Sequence, residues 1–174
     1  GNGEYDCLVP GSGGKDSGFV SHLLKYKYGM NPLTCTWPPL MYTDYGYKNY
    51  KNWLKTCRFE NIVMKPKEYL MKYLTKMSIL NLLHPFQTFI IGQKNIAPKV
   101  AAEHNIKLIF YGESESLYNN NPEGFYNSKV DNKYFSVDHF DKLILAGIKI
   151  KDLYKSNYIK KSDLSIFFPL SSQE

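Results

Sequence analysis

The segment that most constrains the fold lies near the start of the chain, where a short apolar run meets a glycine-rich turn. Residues 7–9, CLV, have the length of a buried strand, and a helical pattern follows Ser17. Residues 11–17 between them are GSGGKDS. A strand, a glycine turn and a helix N-terminus form an anion site, because unpaired backbone N–H groups and the helix dipole point into it. The sequence therefore predicts a phosphate-binding loop at residues 11–17.

The type of phosphate loop follows from the position of its lysine. The Walker pattern requires Ser or Thr after the lysine, but Asp16 follows Lys15. Asp16 also stands where a dinucleotide fingerprint needs its third glycine. The remaining pattern is SGGKDS, in which the glycines admit phosphate oxygens, the serines donate hydroxyl groups and an acidic residue can orient Mg²⁺. The alternative interpretation is a glycine turn that only joins a strand to a helix.

The composition indicates one globular domain over residues 1–174. Hydrophobic residues make up 43% of the chain and charged residues 22%. No run approaches the ~18 apolar residues of a membrane span. The net charge of +6 comes from dispersed lysines, which indicate a solvated surface and, secondarily, attraction of anionic ligands. Three cysteines, two of them in apolar runs, are typical of reduced core thiols in a cytoplasmic protein.

Apolar runs alternate with helical patterns along the chain. The predicted strands are residues 7–9, 33–37, 61–64, 108–111 and 166–168, with helices between them. We expect a helix over residues 87–104, broken or kinked at Pro98, and another from residue 135 to a stop at Gly147. This alternation predicts an α/β fold: a parallel twisted sheet of about five strands with helices on both faces. Residues 115–134 lack periodicity and indicate a substrate-covering lid or a disordered loop.

Ligands of such sheets bind outside the carboxyl ends of the strands, which places several further side chains at the predicted site. Thr36 and Trp37 follow the second strand, where they can meet adenine or ribose, although Trp37 fits a core position nearly as well. Gln93 and Lys94 can reach the α-phosphate from a helix or face solvent. Glu113 follows Gly112 at the end of the fourth strand, where a carboxylate needs Mg²⁺, a sugar hydroxyl or an amine as a partner.

The SGGKDS loop resembles that of the PP-loop ATP pyrophosphatases, which split ATP between the α- and β-phosphates. Other pieces occur in an order similar to the N-acetyl sugar amidotransferases of bacterial surface-glycan and flagellin-glycan synthesis. These pieces are NPL at 31–33, YTD at 42–44, HPF at 84–86, GQKN at 92–95 and IFYGES at 109–114. The resemblance covers most of the chain. The loop is specific to the superfamily, whereas the other pieces count only as an ordered set.

The resemblance implies an adenine nucleotide alpha hydrolase-like fold and an ATP- and Mg²⁺-dependent amidotransferase. ATP would adenylate the oxygen of an N-acetyl group on a nucleotide-linked sugar or nonulosonic acid. Ammonia from a separate glutaminase subunit would then displace AMP and leave an acetamidino group. The expected nucleotide-binding residues are Gly11, Ser12, Gly13, Gly14, Lys15, Asp16, Ser17, Thr36, Trp37, Gln93 and Gly112. The expected catalytic residues are Lys15, Asp16, Lys94 and Glu113, with Asp16 also placed near Mg²⁺.

The chain departs from this family in two respects. It lacks the cysteine-bearing metal motif that relatives often carry, so we expect no zinc. It also stops earlier than the family's chains, which indicates a fragment of a longer protein. A homodimer is compatible with the sequence, whereas a membrane or nucleic-acid partner is not expected.

Two alternatives remain open. One is a PP-loop enzyme acting on RNA, a thiolase or a lysidine-type synthetase, although thiolases usually need paired catalytic cysteines. The other is a nucleotide-binding or assembly domain without catalytic activity.

Overall fold

The structure, a computed structural model, describes residues 4–113, 136–137, 143–155 and 159–171. Its strands are β1 (Cys7–Pro10), β2 (Pro32–Thr36), β3 (Asn61–Val63), β4 (Ser136–Val137), β5 (Ile144–Leu145), β6 (Ile148–Lys149) and β7 (Leu170–Ser171). Its α-helices are α1 (Lys15–His22), α2 (Asp44–Cys57), α3 (Glu68–Leu82), α4 (Gln87–Glu103), α5 (Ile150–Tyr154) and α6 (Lys161–Leu164). A π-helical turn, Leu23–Lys27, extends α1, and a 3₁₀ turn, Ser165–Phe167, follows α6.

The central sheet is parallel, in the order β1-β2-β3. Leu8 is paired with Leu33, and Thr34 is paired with Asn61. On the other side of β1, Ile109 forms a single parallel bridge with Leu8. The α/β class and the parallel sheet are confirmed, but the described sheet has three strands instead of the predicted five.

The predicted fourth strand is reduced to that single bridge. Leu8 donates its N–H to the carbonyl of Leu108 and accepts from Phe110 N–H, each at 2.9 Å. Two residues later, Gly112 packs against the peptide that joins Asp16 to Ser17. The chain therefore leaves the sheet early because it turns toward the predicted phosphate loop.

The predicted fifth strand was wrong. Residues 165–167 form the 3₁₀ turn, and the strand after it, β7, pairs with β4 in a separate two-stranded sheet. The carbonyl of Phe167 accepts a hydrogen bond from Asn95 Nδ2 at 2.6 Å. This backbone acceptor is thus used by a side chain of α4 and not by a strand of the central sheet.

The predicted helix that ends at Gly147 was also wrong in its described part. β5 and β6 form an antiparallel hairpin around Ala146 and Gly147, which have φ values of +55° and +75°. Two central residues with positive φ are characteristic of the tight turns that join hairpin strands. The proposed lid, residues 115–134, lies outside the described residues.

Helices cover both faces of the sheet. Successive strand residues point to opposite faces, so Cys7 and Val9 pack toward α1, whereas Leu8 packs toward α4. On the α1 side, Trp53 of α2 donates its indole N–H to Ser21 of α1 at 2.8 Å. The two helices therefore form one layer, while α3, α4 and residues 161–168 form the other.

Two helices differ in detail from the prediction. The apolar face predicted for the first helix included Phe19 and Leu24; Leu24 is buried, but Phe19 is 64% exposed and Ser21 is buried in its place. Helix α4 continues from Gln87 to Glu103 with Pro98 inside it, so the predicted break at this proline is absent. None of the helices in the described ranges is long and apolar enough to cross a membrane.

Candidate functional site

A cavity of about 250 Å³ opens at the carboxyl ends of the parallel strands. It lies where the chain order reverses, because β2 flanks β1 on one side and the Ile109 segment flanks it on the other. Such switch points leave a crevice between the loops that follow the strands. The cavity is lined by Pro10, Gly11, Ser12, Gly14, Asp16, Ser17, Cys35, Trp37, Ile90, Gln93, Lys94, Ile96, Tyr111, Gly112 and Glu113.

Most of the residues predicted from the sequence meet at this cavity. The loop after β1, the residue after β2, helix α4 and the turn at Gly112 all contribute to its wall. Three predicted residues, Gly13, Lys15 and Thr36, lie beside the cavity and do not line it. These chain segments therefore converge on one cavity, and the roles of the individual residues stay predictions.

The positions in the loop require glycine for different structural reasons. Gly13 has a φ of +83°, and a Cβ there would lie 2.4 Å from the Cα of Tyr50. A Cβ on Gly11 would lie 2.6 Å from the Cβ of Ser17. A Cβ on Gly14 would meet nothing within 4 Å, because this residue faces open space at the cavity. Gly11 and Gly13 thus allow the loop to pack, whereas Gly14 leaves room for a ligand.

The loop is held in place by hydrogen bonds from neighbouring elements. Gly11 donates its N–H to the carbonyl of Cys35 at 2.9 Å and accepts from the hydroxyl of Thr36 at 2.7 Å. The buried Thr36 side chain therefore supports the loop from below. The hydroxyl of Ser17 donates to the carbonyl of Gly14 at 3.3 Å.

The charged side chains at the site differ in their exposure and in whether they line the cavity. Lys15 Nζ lies 2.6 Å from Asp16 Oδ1, and the Lys15 side chain is 88% exposed. Asp16 and Glu113 line the cavity, one from the loop and one from the turn after Gly112. Mg²⁺ is commonly held by one or two carboxylates together with phosphate oxygens, so these side chains fit a metal bound with ATP. Among the described residues, no group of three or more His, Cys, Asp or Glu side chains could hold a metal ion alone.

Helix α4 forms the wall opposite the loop through Gln93 and Lys94. The indole of Trp37 lies against this helix at Gly92, where a Cβ would be 2.0 Å from the Cζ2 atom of Trp37. Sequence reasoning had no role for Gly92. An isolated glycine inside a helical pattern is a signal for a close packing contact, and it could have indicated this one.

The three cysteines are reduced and buried, as the sequence predicted. Burial raises the pKa of the Cys35 thiol to about 12, although Cys35 belongs to the cavity wall. Burial likewise raises the pKa of Cys7 to about 11 and also raises that of Cys57. None of the three is therefore an accessible thiolate at neutral pH.

The fold is similar to that of the NH3-dependent NAD synthetase from Campylobacter jejuni subsp. jejuni NCTC 11168, solved in complex with the nitrate ion. The two structures align with a TM-score of 0.51 and 17% sequence identity. The alignment covers 67% of this chain and 51% of that chain, so this chain spans about half the length of the synthetase. At this identity the likeness shows a shared fold.

No protein-family model matches the chain, and no curated protein matches it.

Proposed function

We propose that this chain is the ATP-binding domain of an amidotransferase that converts the N-acetyl group of a sugar into an acetamidino group. The sugar would be nucleotide-linked or a nonulosonic acid. ATP and ammonia are the co-substrates, and AMP and pyrophosphate are the products. The observation that carries the proposal is the cavity at the strand ends, where the SGGKDS loop lies opposite Gln93 and Lys94.

The first step is activation of the amide oxygen. The oxygen of the N-acetyl group attacks the α-phosphorus of ATP, and the bond to the pyrophosphate leaving group breaks. This step forms an O-adenylyl imidate. An amide oxygen is a poor leaving group, and adenylation turns it into part of AMP. Ammonia then adds to the imidate carbon, AMP departs with the oxygen, and a proton is released to give the amidine.

The proposed roles follow from the positions of the side chains. The Gly14 surface and the hydroxyls of Ser12 and Ser17 face the pyrophosphate, while Lys94 offsets the charge that grows on the α-phosphate. Lys15, outside the cavity wall, acts on the phosphates through its charge and its pairing with Asp16. Asp16 and Glu113 would hold Mg²⁺, which supplies Lewis-acid stabilisation of the phosphate oxygens.

Two further observations support an ammonia-using reaction over a thiolation reaction. The structural neighbour is named as an NH3-dependent synthetase, and the present chain shares its fold. The buried cysteines, with their raised pKa values, do not provide the accessible thiolate that a thiolation reaction requires. An amidotransferase needs no such thiolate. The ammonia would come from a separate glutaminase subunit.

The decisive experiment incubates the full-length protein with ATP, Mg²⁺, ammonium and candidate N-acetyl sugars. We expect repeated turnover to AMP and pyrophosphate only when both sugar and ammonium are present, because ammonia is needed to release AMP from the imidate. The sugar product should be lighter by about one mass unit, because NH replaces O. Production of AMP without any change in the mass of the sugar would contradict the proposed acceptor.

Matched variants test the proposed residues. Asp16→Ala and Ser17→Ala should abolish pyrophosphate formation while the thermal midpoint stays close to wild type. Asp152→Ala is the control, because Asp152 is a surface acid that pairs with Lys155 at 3.0 Å on α5, outside the cavity. Full turnover in both loop variants would overturn the proposal.

A further inference from the structure

The indole of Trp37 is held between helix α4 and the C-terminal segment, here residues 161–168. On one side the ring lies against Gly92, as described above. On the other side it contacts the ring of Phe167 edge-on, with the ring centroids 5.5 Å apart. Trp37 is only 4% exposed, yet it belongs to the cavity wall. The position of this wall therefore depends on a residue 130 positions later in the chain.

The C-terminal segment is attached to α4 by hydrogen bonds from two side chains of this helix, Asn95 and Lys99. Asn95, one helical turn after Gly92 on the inner side of α4, donates its Nδ2 hydrogen to the carbonyl of Phe167 at 2.6 Å. Lys99 Nζ donates to the carbonyls of Ser165 at 2.8 Å and Ile166 at 3.2 Å. The bond from Asn95 is buried, so its loss would leave an unpaired carbonyl in the core. These contacts fix Phe167, and Phe167 in turn limits where the Trp37 ring can lie.

The Trp37 ring has no polar tether of its own in the described part of the chain. Its Nε1 is buried and has no hydrogen-bond partner there. By contrast, the other tryptophan, Trp53, is anchored by its bond to Ser21. The orientation of Trp37 is thus determined by packing against Gly92 and Phe167.

We propose that Asn95 and Phe167 are positioning residues for the nucleotide site. They hold the C-terminal segment on α4, and this contact fixes the indole of Trp37 in the cavity wall against the nucleoside half of ATP. The phosphate loop lies on β1 and α1 and does not depend on this contact. The inference rests on the proposed function, because it takes ATP as the ligand of the cavity.

Because Trp37 and the phosphate loop lie on different elements, the affinities for ATP and for pyrophosphate can be tested separately. Phe167→Leu keeps an apolar side chain but removes the ring contact, and Asn95→Ala removes the tether. Both should weaken ATP binding by roughly tenfold while pyrophosphate binding stays within about twofold of wild type. In turnover, KM for ATP should rise and kcat should change little. Binding is measured by calorimetry with ATP and with pyrophosphate on the full-length protein.

Phe168→Leu is the matched control, because it shortens the next buried ring in the same segment, which lines a different cavity. It should lower stability without changing the ratio of ATP to pyrophosphate affinity. Equal losses of ATP and pyrophosphate affinity in Phe167→Leu would show a general structural defect and overturn the inference. If the wild type itself binds neither ligand, the proposed function fails first.

A second pair of variants tests the other side of the ring. Gly92→Ala places a methyl group within 2.0 Å of the indole, so it should weaken ATP binding in the wild-type background. In a Trp37→Leu background the same change should have less than half of that effect, because the colliding ring is absent. Gly18→Ala, where the new methyl group lies 4.0 Å from the Trp53 ring, serves as the glycine control. Additive effects of Gly92→Ala and Trp37→Leu would contradict positioning through the indole.

Discussion

Gly13 and Gly14 are adjacent in the chain, but they serve the loop for different physical reasons. Gly13 adopts a left-handed conformation against the backbone of Tyr50, so both its φ value and its surroundings exclude a side chain. Gly14 has an extended conformation that other residues can adopt, with φ −69° and ψ 166°. Its missing side chain leaves the cavity open. Gly13 is therefore needed for the loop to pack, and Gly14 leaves space for a ligand.

Alanine variants should separate these two roles. Gly13→Ala should lower the free energy of unfolding by about 1–3 kcal/mol, through strain at positive φ and the clash with Tyr50. Gly14→Ala should leave the free energy of unfolding nearly unchanged and weaken pyrophosphate binding. Urea denaturation and calorimetry measure the two quantities. A Gly14→Ala protein that binds pyrophosphate as well as wild type would show that the loop does not approach the phosphates at this residue.

At the scale of elements, each end of α2 is held by a side-chain hydrogen bond. Thr43 accepts a hydrogen bond from Gly46 N–H at 3.0 Å and caps the N-terminus. At the other end, Lys25 of the π-helical turn donates to the carbonyl of Cys57 at 2.7 Å. The positive charge of this lysine lies at the helix C-terminus, where the helix dipole favours it. Both ends of α2 are therefore tied to its surroundings.

Thr43→Ala should destabilise the protein by about 1 kcal/mol, because the cap bond is lost and a helix N–H is left unpaired. Thr56→Ala, an exposed change within the same helix, should have little effect or a slightly stabilising one. The measurement is the urea midpoint of both variants. Equal midpoints for the two variants would mean that the cap contributes nothing to stability.

Helix α6 is linked to the start of α3 through one carboxylate. Asp163 accepts a hydrogen bond from Tyr69 at 2.6 Å and pairs with Lys67 Nζ at 2.8 Å. Lys67 and Tyr69 hold the pKa of Asp163 below its usual value of 3.8. A lowered carboxyl pKa means that the stabilisation is present above this value and is lost as the pH falls through the folded-state pKa.

Asp163→Asn should therefore lower the thermal midpoint at pH 7, and the difference from wild type should shrink as the pH falls below 3.8. Thermal unfolding monitored by circular dichroism at pH 7, 5 and 3 measures this trend. Asp152→Asn removes a more exposed acid that pairs with a lysine, and as the control it should lower the thermal midpoint less than Asp163→Asn does. A difference that stays constant from pH 7 to pH 3 would exclude the carboxylate charge as its source.

At the scale of the whole molecule, the three cysteine thiols lie in three different hydrophobic clusters. Cys7 packs under α1, Cys35 lies in the core beneath α4, and Cys57 belongs to the cluster around Trp53. Each thiol is buried, and a raised pKa keeps it protonated. Their reactivity therefore reports the opening of separate parts of the fold.

Native protein at pH 8 should react slowly with a thiol reagent, and all three cysteines should become reactive together across the urea transition. Mass spectrometry of the labelled peptides measures each site separately. Simultaneous labelling is expected if the described regions unfold cooperatively. Early labelling of Cys57 alone would show that α2 opens independently of the sheet.

Much of the fold could be predicted from the sequence, because the conformation of many segments depends mainly on neighbouring residues. The strand before the loop and helix α2 depend on neighbouring residues and on one buried face each. Two of the predictions that the structure changes concern segments whose partners are distant in the chain, whereas the missed hairpin at Ala146 and Gly147 is local. Residues 165–167 and 108–111 are apolar enough for strands, but Asn95 and the loop at Asp16 determine their conformation.

By itself the sequence determined the chemistry that is available at the site: a glycine loop with SGGKDS, a carboxylate at Glu113 and polar residues at Gln93 and Lys94. Only the tertiary structure decided that these groups surround one cavity, that Thr36 supports the loop from below, and that Trp37 is held by Phe167. The reason is that loop and helix signals are encoded within a few residues. Close packing between residues 37, 92 and 167 arises only when distant segments meet in the folded chain.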